Sequence, residues 1–268
     1  MNGGSPVRQA SVRAHNLALV LRQVATASRP PSRADLAAST GLTRATVSAL
    51  VDDLVGGQLL AEVDPAPRLG AGRPAAGLVL HGYGPAGLGL EINVDYLAGC
   101  VVDLTGTVRH RAVRHGDQRP LTPDAVLRAV ADLGAELRAE AAAAGRTVAG
   151  AALAVPGLVS AGGQVHRAPN LAWHEVDAAG ILAGGPLSDL PLTIDNEANL
   201  AAVAELHAGG PALDSFVYVS GEIGIGAGIV LHRDLFRGAR GWSGERRPAA
   251  RRRARRARGA SRRSPRTP

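Results

Sequence analysis

Arg44, Thr46 and Ser48 stand within five positions of one another in the segment 32–60, SRADLAASTGLTRATVSALVDDLVGGQLL. A guanidinium next to hydroxyls at that spacing can hydrogen-bond base edges and phosphates, provided the backbone carrying them is slim enough to enter a major groove. Ala45 and Ala49, turned outward beside Ser48, make it slim. The elements that must position these groups are legible in the same segment. Ser32 followed by Asp35 has capping-box spacing and predicts a short helix that buries Leu36 and Ala37. Gly41 ends that helix in the left-handed conformation, Leu42 plugs the turn and Thr43 caps a second helix. In the second helix Val47, Leu50, Val51 and Leu54 recur at i, i+3, i+4 and i+7, a single apolar stripe that leaves the polar residues facing out. Arg33 and Thr43, at the two helix starts, complete the candidates for DNA contact on the helices.

His15 to Ser28, with Leu17, Val20, Leu21 and Val24 on one face, predicts a preceding helix. Leu59–Val63 and Leu78–Leu80 predict two strands joined by DPAPRLGAGRPAAG, whose Pro and Gly content suits a long hairpin turn. Arg68 and Arg73 lie at its tip, where a guanidinium can enter a minor groove or hold a phosphate. Residues 1–82 therefore read as a winged helix-turn-helix; a plain helical hairpin is the bland alternative.

At 268 residues the chain is long enough for two domains with real cores. Its charge of +7 is misleading as a nucleic-acid signal. All 30 basic residues are arginine, and 11 of them lie in 246–268; without that stretch 19 arginines face 23 acids, a balance of −4. DNA affinity must then come from a local surface. The single cysteine, Cys100 in LAGCVVDL, predicts a buried thiol in a reducing compartment and excludes a disulfide or a multi-cysteine metal site. With no run of 18 apolar residues and no signal-peptide core in MNGGSPVRQA, the expectation is a cytoplasmic chain with no membrane partner.

From Gly87 the pattern turns to short β-rich runs. LGLEINV, YLAGCVVDL and Val108–Val113, with Thr105-Gly106 as a tight turn, predict three consecutive antiparallel strands. A long helix over Pro123–Arg146 capped by Thr122, a buried strand over Val148–Val155, and a strand–helix pair (Leu192–Asp195, Glu197–His207) follow. Phe216–Ser220 and Ala227–Leu231 then flank the glycine-rich turn GEIGIGAG. This is an α/β plan with a mixed sheet. Asn196 and Asn199 are well placed to cap the helix that starts beside them, a structural role that does not preclude binding. His166, His174 and His207 have no metal-ligand spacing and read as surface or structural residues.

AVPGLV (154–159), APNLAW (168–173), DNEANLAAVAE (195–205), SGEIGIGAGIV (220–230) and GWSGE (241–245), in that order, resemble the ROK family of sugar kinases and repressors. With the predicted winged helix in front, the chain is similar to the repressor branch, the xylose and N-acetylglucosamine type. The resemblance implies an actin-like, two-lobed domain over 83–245, a sugar effector between the lobes, a double-stranded operator as partner, and homo-oligomers if the domain is complete. It places Gly157, Asn170, Asn196, Glu197 and Glu245 at the sugar. An ATP-dependent sugar kinase of the glucokinase type is the alternative, but the departures from the kinase motifs point to no catalysis. The kinases' first phosphate loop, Asp-x-Gly-Gly-Thr, is here Glu91-Ile92-Asn93-Val94-Asp95, with both glycines gone and a charge that repels nucleotide. Glu197 holds the position of the family's catalytic Asp, and its extra methylene moves the carboxylate by about 1 Å, enough to spoil an in-line geometry. Glu222 in the second glycine loop adds to the repulsion.

The resemblance breaks after Glu245, where the family continues with Ile-Gly-His and a zinc-binding Cys-x-Cys-Gly-x-x-Gly-Cys; no cofactor is expected here. Residues 246–268 instead read RRPAARRRARRARGASRRSPRTP, with no apolar periodicity. One reading is a disordered Arg-rich tail that binds nucleic acid without sequence preference. The other, favoured by the lysine-free, GC-rich composition, is a shifted reading frame that leaves the actin-like domain incomplete.

Overall fold

The computed structural model describes residues 9–64, 76–160, 162–210, 212–221 and 224–238. The chain opens with three helices, α1 (Gln9–Ala25), α2 (Arg33–Thr40) and α3 (Arg44–Gly56), and an antiparallel hairpin of β1 (Leu60–Val63) and β2 (Gly77–Leu80). The predicted caps form. Ser32 Oγ accepts from the Asp35 amide while Asp35 Oδ2 accepts from the Ser32 amide at 2.9 Å, and Gly41 closes α2 in the left-handed region. Val20, Val24, Leu36 and the stripe Val47, Leu50, Val51 and Leu54 share one small core with Leu60 and Leu78. α1 begins six residues earlier than the apolar spacing indicates and stops at Ala25, before Pro30-Pro31 would remove its hydrogen bonds. The turn carrying Arg68 and Arg73 lies outside the described residues.

The body is built on a five-stranded sheet. β3 (Ala86–Ile92), β4 (Tyr96–Asp103) and β5 (Val108–His115) are consecutive and antiparallel. α4 (Pro123–Ala143), capped by Thr122, crosses back so that β6 (Val148–Val155) runs parallel to β3. Its buried residues, among them Leu127, Val130, Leu133 and Leu137, join Leu88, Leu90, Ile92 and Val101 of the sheet in the main core. His110 and Arg114 of β5 pair with Glu140 and Glu136 of α4, fastening helix to edge strand.

A segment with only weak apolar alternation follows, and here the structure adds what the sequence reading missed. β7 (Leu158–Val159), β8 (Gln164–Ala168) and β9 (Trp173–Asp177) form a second sheet, with a 3-10 turn (Pro169–Leu171) between the last two and α5 (Ala178–Leu182) after them. Polar residues such as Gln164, His166 and Glu175 hide the alternation; Val165, Ala168, Trp173 and Val176 are the residues it buries. β10 (Leu192–Asn196) then adds in parallel to β6, giving the order β10-β6-β3-β4-β5. α6 (Glu197–Ala208) follows at once and packs on a third sheet, β11 (Phe216–Ser220), β12 (Gly226–Leu231) and β13 (Asp234–Leu235). Cys100 is half-buried, not fully so, because it lies on the sheet face opposite α4; burial still pushes its thiol pKa up.

Asp103, at the end of β4, locks the β4–β5 turn. Its side chain is fully buried, and its oxygens accept from the Thr105 amide and hydroxyl (2.9 and 2.6 Å), the Thr107 amide (3.1 Å) and Arg109 Nε (2.6 Å). Burial raises the carboxyl pKa, but the Thr105, Arg109 and Thr107 donors outweigh it and bring it down to about 2. A pKa below the unfolded value means stabilisation that is complete above about pH 4 and fades as pH falls toward 2, worth about 2 kcal/mol at neutral pH. Asp103→Asn is therefore expected to lower unfolding stability at pH 7 by at least that amount. The gap to wild type narrows below pH 3 in urea titrations.

Candidate functional site

Two places gather chemistry-bearing side chains. The first is the N-terminal half of α3. Thr43 caps it, accepting from the Thr46 amide at 3.2 Å, and the two threonine hydroxyls bond each other at 2.8 Å. Arg44, Ala45 and Ala49 are exposed and Ser48 is half-buried. The helix N-terminus is the positive end of its dipole, and Arg44 adds a full charge beside it. Among the described residues Arg44 has no ion-pair partner. Arg33 is different. Its guanidinium lies 2.7 Å from Asp52 of α3 and 2.8 Å from Glu62 of β1, and it also donates to the Ser48 carbonyl. The hydrogen bond to Glu62, then that to Asp52, holds it protonated even above its usual range. A side chain so placed clamps α2, α3 and β1 together, a structural role that its expected DNA contact did not include. Arg13 of α1 pairs with Asp53 in the same way.

The second place lies where the parallel strands end, at the C-termini of β6 and β10. Asn196 ends β10 and caps α6, its Oδ1 accepting from the Ala198 and Asn199 amides. Its Nδ2 donates to the Gly157 carbonyl and to Glu197 Oε2, both at 3.0 Å. Asn196 is thus a buried brace between β6's exit loop and α6, and Glu197 is the half-exposed member of the pair. Gly157 is needed for closeness: a Cβ there would lie 2.4 Å from the Arg167 carbonyl oxygen. Glu197 Oε1 comes within 3.4 Å, and Asn170 Nδ2 within 3.7 Å, of where a Cβ would stand on Gly226 and Gly224. Glu197 and Asn170 therefore border the β11–β12 turn, and Asn196 ties Glu197 to Gly157, while Glu245 and Glu222 lie outside the described residues. The glycines of that turn have a packing reason as well. At Gly228 a Cβ would meet the Ala198 carbonyl oxygen at 2.5 Å, because β12 lies directly on α6.

Two charged groups that local patterns did not single out complete this place. Asp195, 1% exposed, accepts from the Asn196 amide and from Asn199 Nδ2 through Oδ1, and Arg237 Nη1 lies 2.5 Å from its Oδ2. The four-residue spacing of Asp195 and Asn199 was a usable signal; Arg237, 42 positions away, carried none. The β3–β4 turn is closed on itself, the Asn93 amide donating to the Tyr96 carbonyl and the Val94 amide to Asn93 Oδ1. A cavity of about 320 Å³ beside α5 and β10 is lined by Leu182, Leu187, Leu190 and Ile194 and by none of Gly157, Asn170, Asn196 and Glu197. His166 pairs with Glu175 at 3.1 Å, a surface contact between β8 and β9.

Residues 87–246 match the model of the ROK family. The chain is 30% identical over 238 residues to the xylose repressor of Bacillus subtilis (strain 168), covering 88% of this chain and 60% of that protein. It superimposes on a ROK family transcriptional regulator, a homolog of the E. coli MLC protein, with a TM-score of 0.70 and 26% identity over 87% of this chain and 58% of the other. A ROK glucokinase from Streptomyces griseus, solved with glucose and AMPPNP, shares the fold at a TM-score of 0.51 and 24% identity, covering 60% of this chain and 49% of that one. The chain spans about 60% of the length of the repressor it matches. The order β10-β6-β3-β4-β5, the converging strand ends and the family match over 87–246 lead to one conclusion: the chain belongs to the ROK family.

Proposed function

We propose that this chain is a sugar-responsive transcriptional repressor whose residues 1–82 form a winged helix-turn-helix and whose actin-like body senses the effector. The observation that carries it is the start of α3, where Arg44 stands exposed beside small residues on a helix set by a capped turn and backed by a hairpin. The likeness of 88% of the chain to a protein named a xylose repressor supports the same reading and makes xylose the first effector to try. Arg44, Thr46 and Ser48 face the major groove, Thr43 sets the start of the helix, and Arg68 and Arg73 anchor the wing. Binding to two half-sites calls for a dimer. Glu197, with Asn170 beside the same β11–β12 turn, supplies the hydrogen bonds to sugar hydroxyls, and Asn196, bonded to Gly157, holds Glu197 in position.

A kinase reading has less support. Phosphoryl transfer needs backbone amides and a metal at the phosphates, whereas the amides of Asn93 and Val94 are already bonded within their own turn. The zinc cluster of the family does not fit either, since it takes three cysteines and this chain has one, Cys100 on β4.

In an operator selection with the full chain, read against random duplex so that the arginines of 246–268 cancel, Arg44→Ala costs about 1–3 kcal/mol and relaxes preference at one base pair. Arg73→Ala weakens all sequences alike. A wild-type chain with no preference over random duplex at physiological salt refutes the DNA reading.

Calorimetric titration with xylose gives binding that Glu197→Gln weakens by about 1.5–3 kcal/mol, the worth of a hydrogen bond to a charged acceptor. Coupled assays over hexoses, pentoses and amino sugars show no phosphorylation; turnover above about 1 s⁻¹, ordinary for a kinase, overturns the sensor reading.

A further inference from the structure

Asp195 and Arg237 belong to different sheets. Asp195 is the penultimate residue of β10, and Arg237 follows β13. The carboxylate is 1% exposed and the guanidinium side chain 38% exposed, so the arginine reaches inward from the surface to a buried anion. Oδ1 of that anion takes the Asn196 amide at 2.8 Å and Asn199 Nδ2 at 2.9 Å. Both donors belong to the cap and first turn of α6, from which Asn196 and Glu197 project. Oδ2 has Arg237, at 2.5 Å, as its charge partner. Removing one member of a buried pair leaves an uncompensated charge, so the two sheets are held by more than the apolar contact of Ala198 and Ala202 with Gly226 and Gly228.

We infer that Arg237 is a positioning residue: its ion pair with Asp195 latches the β11–β13 sheet to the end of β10 and fixes the first turn of α6, and with it Glu197. The latch stands on the geometry alone. Its consequence for ligand binding rests on the sugar reading proposed above. Because Asp195 faces Asn199 through one oxygen and Arg237 through the other, a change in the position of the β11–β13 sheet is felt at the cap through that carboxylate. Arg237 reaches the cap through Asp195.

Hydrogen exchange of the full chain without sugar tests the latch. In Arg237→Gln, amides of α6 and of β11 and β12 exchange about tenfold faster than in wild type, while α4 is unchanged. Arg237→Lys, which keeps the charge, restores part of the protection. The double variant Asp195→Asn, Arg237→Gln removes the unpaired charge but keeps an Oδ1 acceptor, so α6 recovers while β11 and β12 stay fast. No change in either segment, or an equal rise in α4, overturns the inference. Xylose titration of the same variants is read separately: if wild type binds, Arg237→Gln weakens binding about tenfold. Failure of wild type to bind xylose strikes the effector reading and leaves the exchange result to decide the latch.

Discussion

The body depends on β3, the strand that pairs antiparallel with β4 on one side and parallel with β6 on the other. A parallel neighbour cannot be reached by a hairpin, so the chain must cross over, and α4 is that crossing. Once β6 and β10 both run with β3, their C-terminal ends lie along one side of the sheet. Loops that leave those ends are brought together whatever their spacing in sequence, which is why open α/β sheets bind ligands there. Gly157 after β6 and Asn196 at the end of β10 meet for this reason, 39 positions apart and 3.0 Å between the bonded atoms.

Arginine–carboxylate pairs then fasten the pieces. Arg33 ties α2 to α3 and β1, Arg109 closes the β4–β5 turn on Asp103, Arg138 grips Asp189 with both terminal nitrogens, and Arg237 reaches Asp195. In a chain without lysine the planar guanidinium fork can meet both oxygens of one carboxylate, as Arg138 does, or bridge two carboxylates, as Arg33 does, which a single ammonium does less well. Their worth differs with burial. The Asp103 and Asp195 carboxylates are buried and depend on their partners, whereas exposed pairs such as Arg128 with Asp124 contribute little.

Much of this is legible in the amino-acid sequence. Caps announce themselves by residue type, so Ser32, Gly41, Thr43, Thr122 and Asn196 all stand where the sequence places them. The stripe of α3 and the alternation of β3 and β4 are equally local signals. The sheet of β7, β8 and β9 was not legible, because its strands are short and carry polar residues on the open face. The roles of Arg33 and Arg237 were hidden for another reason. Both depend on partners tens of positions away, and a charged residue read in isolation looks like a free one.

The pairing of Arg13 and Arg33 has a consequence for how this chain meets a polyanion. An arginine that neutralises a phosphate displaces condensed cations from the duplex, and the logarithmic slope of affinity against salt counts such arginines. Arg13 and Arg33 already hold the carboxylates of Asp53, Asp52 and Glu62, so in this state their charges are offset at this surface. On the proposed DNA reading, the counterions released at this surface are therefore set by Arg44 and others like it. Counting arginines along the first eighty residues overstates how steeply binding falls as salt is added.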